Sequence, residues 1–291
     1  MERTKEQQGE IYILSGAILW SLFPIITILS LTSVPPIVAL AWSTLFSVLF
    51  FAVVMGVKRS WHELSMRGAY KDILLTTLCS GICYYFLFFF GLQYTSAGNA
   101  ALLAATEILF TYLFFRFGRK DSLSGHHTIG AFLMLIGAAV VLYPNFKEFH
   151  RGDMLIILAC AIAPIGNFFQ QRARKSVGSE TIMLVRSSVS AAVIFLVVYF
   201  SGLSSSLFTI KPSLFLLIVN GFLLLGLTKL FWLEGIHRIS VTKAIALANI
   251  SPLLTLFFAW LLLRDVPTVW QLSALVPMFF GIRFLQKQAA S

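Results

Sequence analysis

Two charged side chains stand inside long apolar runs, and this unusual placement makes them candidates for solute binding or proton transfer. Glu107 lies in "LLAATEILF", residues 102–110, and Lys229 lies in "LLGLTKLFWLEG", residues 224–235. A charge away from water is costly unless it is paired. Together an acid and an ammonium could bind the two ends of an amphoteric solute, and the acid could carry a proton. The alternatives are a neutral acid at Glu107 that holds two helices together and an ammonium at Lys229 that reaches out to water.

Polar and aromatic residues in other apolar segments could complete such a site. Asn167 follows Pro164 in "CAIAPIGNFFQQR", and a proline inside a helix removes a backbone hydrogen bond and kinks the helix. A packing kink with interhelical amide bonds explains these two residues equally well. The candidate substrate-binding residues are Trp20, Tyr85, Phe88, Glu107, Asn167, Lys229, Trp232 and Asn249, and the candidate hinges are Pro24, Pro164 and Pro252.

The composition places these residues in a membrane. The chain has 291 residues, of which 58% are hydrophobic and 12% charged, with a mean hydropathy of +0.86. A soluble domain has about 25% charged residues. Apolar runs of about 20 residues recur along the chain, and that length spans a bilayer core of about 30 Å. The sequence therefore predicts an all-α polytopic membrane protein, in which a charge at a helix centre costs at least about 2.5–3.5 kcal/mol.

Ten transmembrane helices are predicted, joined by short connections with turn residues. The N-terminal segment "MERTKEQQGE" runs directly into the first of them, so no cleaved signal peptide is expected. The three cysteines all lie in apolar segments, which argues against a disulfide framework. The predicted spans are 11–31, 36–57, 72–93, 97–117, 127–144, 153–171, 180–201, 213–235, 240–262 and 267–285.

The distribution of lysine and arginine predicts the orientation, since these residues are enriched in cytoplasmic loops. With a cytoplasmic N-terminus, 16 of the 22 basic residues fall inside the cell and four fall outside. The other two, Arg186 and Lys229, lie within spans. Both termini are therefore expected in the cytoplasm, and the formal charge of +10 reflects topology rather than nucleic-acid binding.

An internal repeat is visible when the sequence is shifted by 144 residues. The segment "GLQYTSAGNAALLAATEIL", residues 91–109, then lies over "GIHRISVTKAIALANISPL", residues 235–253. The basic–Asp pair Lys120–Asp121 meets Arg264–Asp265. The expected units are residues 1–145 and 146–291, each with five spans. Because five is odd, the second copy enters the membrane inverted, an arrangement typical of transporters with a substrate site between the repeats.

The chain resembles the drug/metabolite transporter superfamily, specifically its EamA-type members with ten helices in two inverted repeats. The residues that carry the resemblance are "LWSLFP" in the first span, the segments that open spans four and nine, and the basic–Asp turns after them. The family often has Glu-Pro near the middle of those two helices. Here the first repeat keeps the acid, Glu107–Ile108, and the second keeps the proline, Ser251–Pro252.

The resemblance implies transport of small organic solutes, often amino acids or their relatives. It implies a central cavity lined by spans three and eight, which favours a site role for Lys229 and for its repeat partner Tyr85. The helix that corresponds to span seven is more peripheral in the family, so Arg186 is expected to reach toward water or to serve a structural role. Within the run "YYFLFFF", residues 84–90, only Tyr85 and Phe88 are expected to line the cavity.

These observations predict a secondary transporter and not an enzyme. It would move an amphoteric or carboxylated solute of amino-acid size by alternating access across the plasma membrane of a bacterium. The alternative is an exporter of cationic or neutral compounds with Glu107 as the main charged contact. The expected partners are the solute, the lipid bilayer and protons as a candidate coupling ion. No metal, cofactor or nucleic acid is expected, and the protein could be a monomer or a homodimer.

Overall fold

A computed structural model describes residues 4–119, 125–143, 151–239 and 241–286, and these residues form helices and turns without a strand. Seven helical stretches are long and apolar enough to cross a bilayer, and three shorter apolar helices account for the other predicted spans. The ten-helix all-α membrane fold is thus confirmed. Spans one to ten are Lys5–Ser21 with Phe23–Leu31; Pro36–Lys58; Tyr70–Thr76, Thr77–Cys83 and Tyr84–Leu92; Ala97–Ala104 with Glu107–Arg119; Gly125–Leu142; Arg151–Ala173; Ser179–Phe200; Leu214–Val219, Asn220–Leu227 and Thr228–Ile236; Val241–Ala248 with Ser251–Leu263; and Val269–Gln286.

The first span begins at Lys5, six residues earlier than residue 11. Thr4 is the reason, because it forms a capping box with Gln7. The Thr4 Oγ1 atom accepts from the Gln7 backbone N–H at 3.2 Å, and the Gln7 side chain accepts from the Thr4 N–H at 3.1 Å. The polar turn before the apolar run is therefore helical. The predicted repeat boundary at residues 145 and 146 and the Lys120–Asp121 turn lie outside the described residues.

Irregular segments occur at matching places in the two repeats. Span four stops at Ala104 and resumes at Glu107, while span nine stops at Ala248 and resumes at Ser251. A shift of 144 residues carries Glu107 onto Ser251. Spans three and eight each contain a π-helical segment, Thr77–Cys83 and Asn220–Leu227, and these also coincide under the shift to within one residue. The repeat seen in the sequence is thus also present in the helix geometry.

The helix packing follows the same symmetry. Span five packs on span ten, its repeat counterpart, and span two packs on span seven, which is likewise its counterpart. Span three packs on span six, as span eight packs on span one. Small residues allow the closest approach: a Cβ on Gly130 would lie 2.8 Å from the Gly281 carbonyl oxygen, and a Cβ on Gly281 would lie 3.0 Å from that of Gly130. Spans five and ten are therefore in backbone contact.

Ion pairs join the two repeats at the predicted cytoplasmic end. Lys58, at the end of span two, lies 3.2 Å from Glu180 of span seven and 3.6 Å from Glu234 of span eight. Lys243 of span nine pairs with two acids of span one, and Arg172 of span six pairs with Asp72 of span three at 3.3 Å. The two acids that pair with Lys243 are Glu6 and Glu10.

Candidate functional site

The break in span four places Glu107 at the first residue of a half-helix. Beside the break the Leu103 oxygen accepts from the Thr106 backbone N–H at 3.0 Å and from Thr106 Oγ1 at 2.6 Å, and Cys160 Sγ lies 3.6 Å from the same oxygen. The N-terminus of a helix carries a partial positive charge that favours a carboxylate there. The interrupted helix therefore both exposes and stabilises this acid inside the membrane.

Asn167 is the direct partner of Glu107. Its Nδ2 atom donates to Glu107 Oε1 at 2.9 Å. Asn167 lies three residues after Pro164, which stands inside the continuous helix of span six rather than at a break. The sequence predicted both residues as substrate-binding candidates, and the structure brings them together across spans four and six.

Lys229 faces the interior of the protein. Its Nζ atom lies 4.0 Å from the centre of the Trp20 ring, a cation–π contact. Lys229 also interacts electrostatically with Glu107, although no direct ion pair joins these two described residues. Trp20, Glu107, Asn167 and Lys229 each retain partial exposure. They form a mixed-charge group, the central group, with one residue from each of spans one, four, six and eight.

Buried aromatic rings stand behind the central group. Trp20 stacks on Phe23 with ring centres 4.6 Å apart and an interplanar angle of 6°. Phe23 contacts Tyr85 at 6.1 Å and Phe88 at 5.5 Å, so the two predicted aromatics share one cluster. Tyr84 and Phe89 of the same run are also buried, packed in one hydrophobic cluster with these rings.

The other candidate residues lie elsewhere. Trp232 packs against apolar clusters that contain Phe51 and Ile13, and no described contact joins it to the central group. Asn249 lies in the break of span nine and is half-buried.

Two of the three candidate hinges adjoin breaks. Pro24 is in the first turn after the interruption of span one, at Leu22, and Pro252 is in the first turn after the interruption of span nine. Pro164 lies within the uninterrupted helix Arg151–Ala173. The hinge role of all three prolines stays a prediction.

Span nine supports the interrupted span one through side-chain hydroxyls, which the sequence did not single out. Ser251 Oγ donates to the Ala17 oxygen at 3.1 Å, and Thr255 Oγ1 donates to the Ser21 oxygen at 2.9 Å. Both acceptors lie in the last turn before the break at Leu22. The sequence could have pointed to Ser251 through the internal repeat, because the 144-residue shift pairs Ser251 with the candidate site residue Glu107.

Arg186 does not reach toward water. The residue is only 7% exposed, and it lines one small cavity together with Tyr85. Gly81 permits this burial, since a Cβ there would lie 3.1 Å from Arg186 Cγ. Of the two expected alternatives for Arg186, burial argues against a side chain that reaches toward water and leaves a structural role.

The match to known proteins agrees with this architecture. Residues 7–143 and, separately, residues 150–286 match the EamA-like transporter family. The chain belongs to the EamA-like transporter family. It is accordingly a multi-pass membrane transporter, and the two matched segments correspond to the two sets of five spans.

Relatives of this EamA-like chain are described as transporters. It is 20% identical to the uncharacterized transporter YoaV of Bacillus subtilis, with 88% of this chain and 89% of the relative covered. It is 24% identical to an uncharacterized transporter of Methanothermobacter thermautotrophicus, with 95% and 85% covered. A solved crystal structure superposes with a TM-score of 0.70 at 17% identity, covering 96% of this chain and 97% of that one. That likeness supports the fold.

Proposed function

We propose that this EamA-like protein is a secondary transporter of a small amphoteric or carboxylated solute of amino-acid size. The substrate would bind at the central group and reach either side of the bacterial plasma membrane by alternating access. Glu107 would hold the substrate amine or a coupling proton, and Lys229 would hold its anionic end. The aromatic cluster around Phe23 would enclose the body of the solute.

The observation that carries the proposal is the meeting of one acid and one ammonium where two helices are interrupted. Substrate sites in inverted-repeat transporters lie near the midplane, where half-helices end. Glu107 begins a half-helix of span four, and Trp20, which lies under Lys229, precedes the break in span one by two residues. A zwitterion between the two charges would satisfy both at once, and that arrangement lowers the cost of each charge in the membrane.

The cation–π contact favours a second candidate function. If Trp20 satisfies the Lys229 ammonium in every state, Glu107 is left as the main charged contact. The substrate would then be a cationic or neutral compound that is exported.

A ligand screen distinguishes the two functions. The purified protein is heated with amino acids, polyamines, nucleosides and carboxylated metabolites in turn, and a ligand at a hundred times its Kd raises stability by about 2.7 kcal/mol. Hits among zwitterions and carboxylates are expected. Hits confined to cationic or neutral compounds would favour the second candidate.

Flux in proteoliposomes then tests the assigned residues. Lys229→Met is expected to lower the affinity for each hit about tenfold or more, because an ion pair to a buried carboxylate is lost. Glu107→Gln is expected to abolish stimulation by a pH gradient. Lys211→Met removes a lysine from an exposed turn between spans seven and eight and serves as the matched control. Unchanged affinity and rate in Lys229→Met would contradict the assignment.

A further inference from the structure

A small polar cavity lies outside the central group, at the place where the two repeats meet. Its lining comes from span two and its counterpart span seven, and from the π-helical segments of span three and its counterpart span eight. Gly81 and Leu225, one from each π segment, are equivalent under the 144-residue shift. The lining residues are Thr44, Ser47, Gly81, Tyr85, Arg186, Ser187, Ser190 and Leu225.

Arg186 gives this cavity a positive charge that no acid balances. It is 7% exposed, and none of the ion pairs among the described residues includes it. No aspartate or glutamate lines the cavity. A guanidinium stays charged in proteins, and an unpaired buried charge is strongly destabilising. A small anion in the cavity would balance this charge.

The rest of the wall supplies hydroxyl groups. Ser190 is 1% exposed, and its Oγ atom has no hydrogen-bond partner in the structure. The Ser47 and Ser187 hydroxyls lie 3.3 Å apart, and Tyr85 also lines the cavity. Hydroxyl and guanidinium groups can all donate hydrogen bonds to one central acceptor. The wall thus suits an anion better than it suits a cation.

The size of the cavity limits the occupant. Its volume is about 10 Å³, roughly the room that one water molecule needs. A water would satisfy hydroxyls but would leave the charge of Arg186 unbalanced. A substrate-sized anion exceeds this space, whereas a halide is close to a water molecule in size.

We propose that Arg186, Ser190 and the hydroxyls around them bind a chloride-sized monovalent anion at the junction of the two repeats. The anion balances Arg186 and accepts from Ser190. It contacts side chains of both repeats, so its binding stabilises the packing of span two against span seven. The proposal does not depend on what the central group transports.

Binding of radioactive chloride to the purified full-length protein tests the site directly. The wild-type protein is expected to bind one chloride per chain, and bromide is expected to compete. Arg186→Met should abolish binding. Ser190→Ala should weaken it about tenfold or more, because a hydrogen bond to a charged group is lost. Lys229→Met removes the other intramembrane cation and should leave chloride binding unchanged.

Two further measurements keep the test decisive if Arg186→Met does not fold. Gly81→Ala keeps the arginine but places a methyl group 2.4 Å from Ser190 Oγ, so it should fill the cavity and lose chloride binding. Chloride, compared with gluconate, should raise the thermal unfolding temperature of wild-type protein and not that of Gly81→Ala.

Other results would overturn the proposal. The proposal is wrong if wild-type protein shows no saturable chloride binding. It is also wrong if both Gly81→Ala and Ser190→Ala retain chloride binding. Loss of binding in Lys229→Met would place the anion at the central group instead. Binding of acetate but not of chloride would identify the cavity as a carboxylate site.

Discussion

The hydrogen bond between Asn167 and Glu107 joins an amide to an acid where water is scarce. Asn167→Ala leaves the acid without this donor, and an unsatisfied buried partner costs about 1–3 kcal/mol. We expect the transport rate to fall about tenfold or more in proteoliposomes.

Thr76→Val is the matched control for Asn167→Ala. It also removes one buried hydrogen bond to span six, that from Thr76 Oγ1 to the Gly166 oxygen at 3.1 Å, but it leaves Glu107 untouched. It should lower the unfolding temperature and keep the transport rate. Equal loss of transport in both variants would mean that Asn167 acts only through packing.

The contact between Lys229 and Trp20 predicts a graded mutational series. A cation–π contact contributes about 0.5–2 kcal/mol, so Trp20→Leu should lower substrate affinity about two- to thirtyfold. Trp20→Phe keeps an aromatic face and should lower the substrate affinity less than Trp20→Leu does. The substrate affinity of both variants is measured from the shift of the unfolding temperature that the ligand induces. If phenylalanine and leucine at this position gave the same affinity, the ring would have no electrostatic role.

Residue types predicted the central group but not its contacts. Glu107, Lys229, Asn167 and Trp20 stand out in the sequence because charged, amide and indole groups are unusual in apolar runs. Their partners could not be inferred, because a hydrogen bond between spans four and six depends on how these helices cross. Arg186 shows the limit clearly: its position in span seven allowed either a side chain that reaches toward water or a structural role, and its burial depends on neighbours such as Gly81 on another span.

Interrupted helices are the distinctive feature of this fold at the scale of the element. Spans four and nine break at equivalent places, and spans three and eight carry equivalent π segments. The period of apolar residues predicted that these helices exist and gave their ends to within a few residues. It could not predict the breaks, because side chains that contact backbone carbonyls beside them, such as Cys160 and Thr255, lie on other helices.

The backbone contact between spans five and ten makes a testable prediction. In Gly130→Ala the new Cβ would lie 2.8 Å from both the Gly281 oxygen and the Leu285 nitrogen. Overpacking of this kind costs about 1–3 kcal/mol, so the thermal unfolding temperature should fall. Gly68→Ala meets no atom within 4 Å and is the control. An unchanged unfolding temperature in Gly130→Ala would show that the two helices can separate freely.

The proposed orientation of the whole molecule can be tested with engineered cysteines. Ser65 lies in the exposed turn after span two and Ser205 in the exposed turn after span seven. We expect a membrane-impermeant maleimide to label Ser205→Cys in intact cells and Ser65→Cys only after permeabilisation. The variants are made in a chain whose three native cysteines are replaced by serine or alanine. The reverse labelling pattern would contradict a cytoplasmic N-terminus.

The ion pairs between the repeats also bear on the kinetics of the proposed cycle. If the repeats part at this end during transport, the contacts of Lys58 and Lys243 must break in every turnover. Pairs this exposed contribute about 0–1 kcal/mol each, so they can set a modest activation barrier without locking the protein shut. Their attraction is screened over about 8 Å at physiological ionic strength. Salt on the cytoplasmic side would then accelerate opening at that face, so the rate of the proposed cycle would depend on the ionic composition of the cytoplasm.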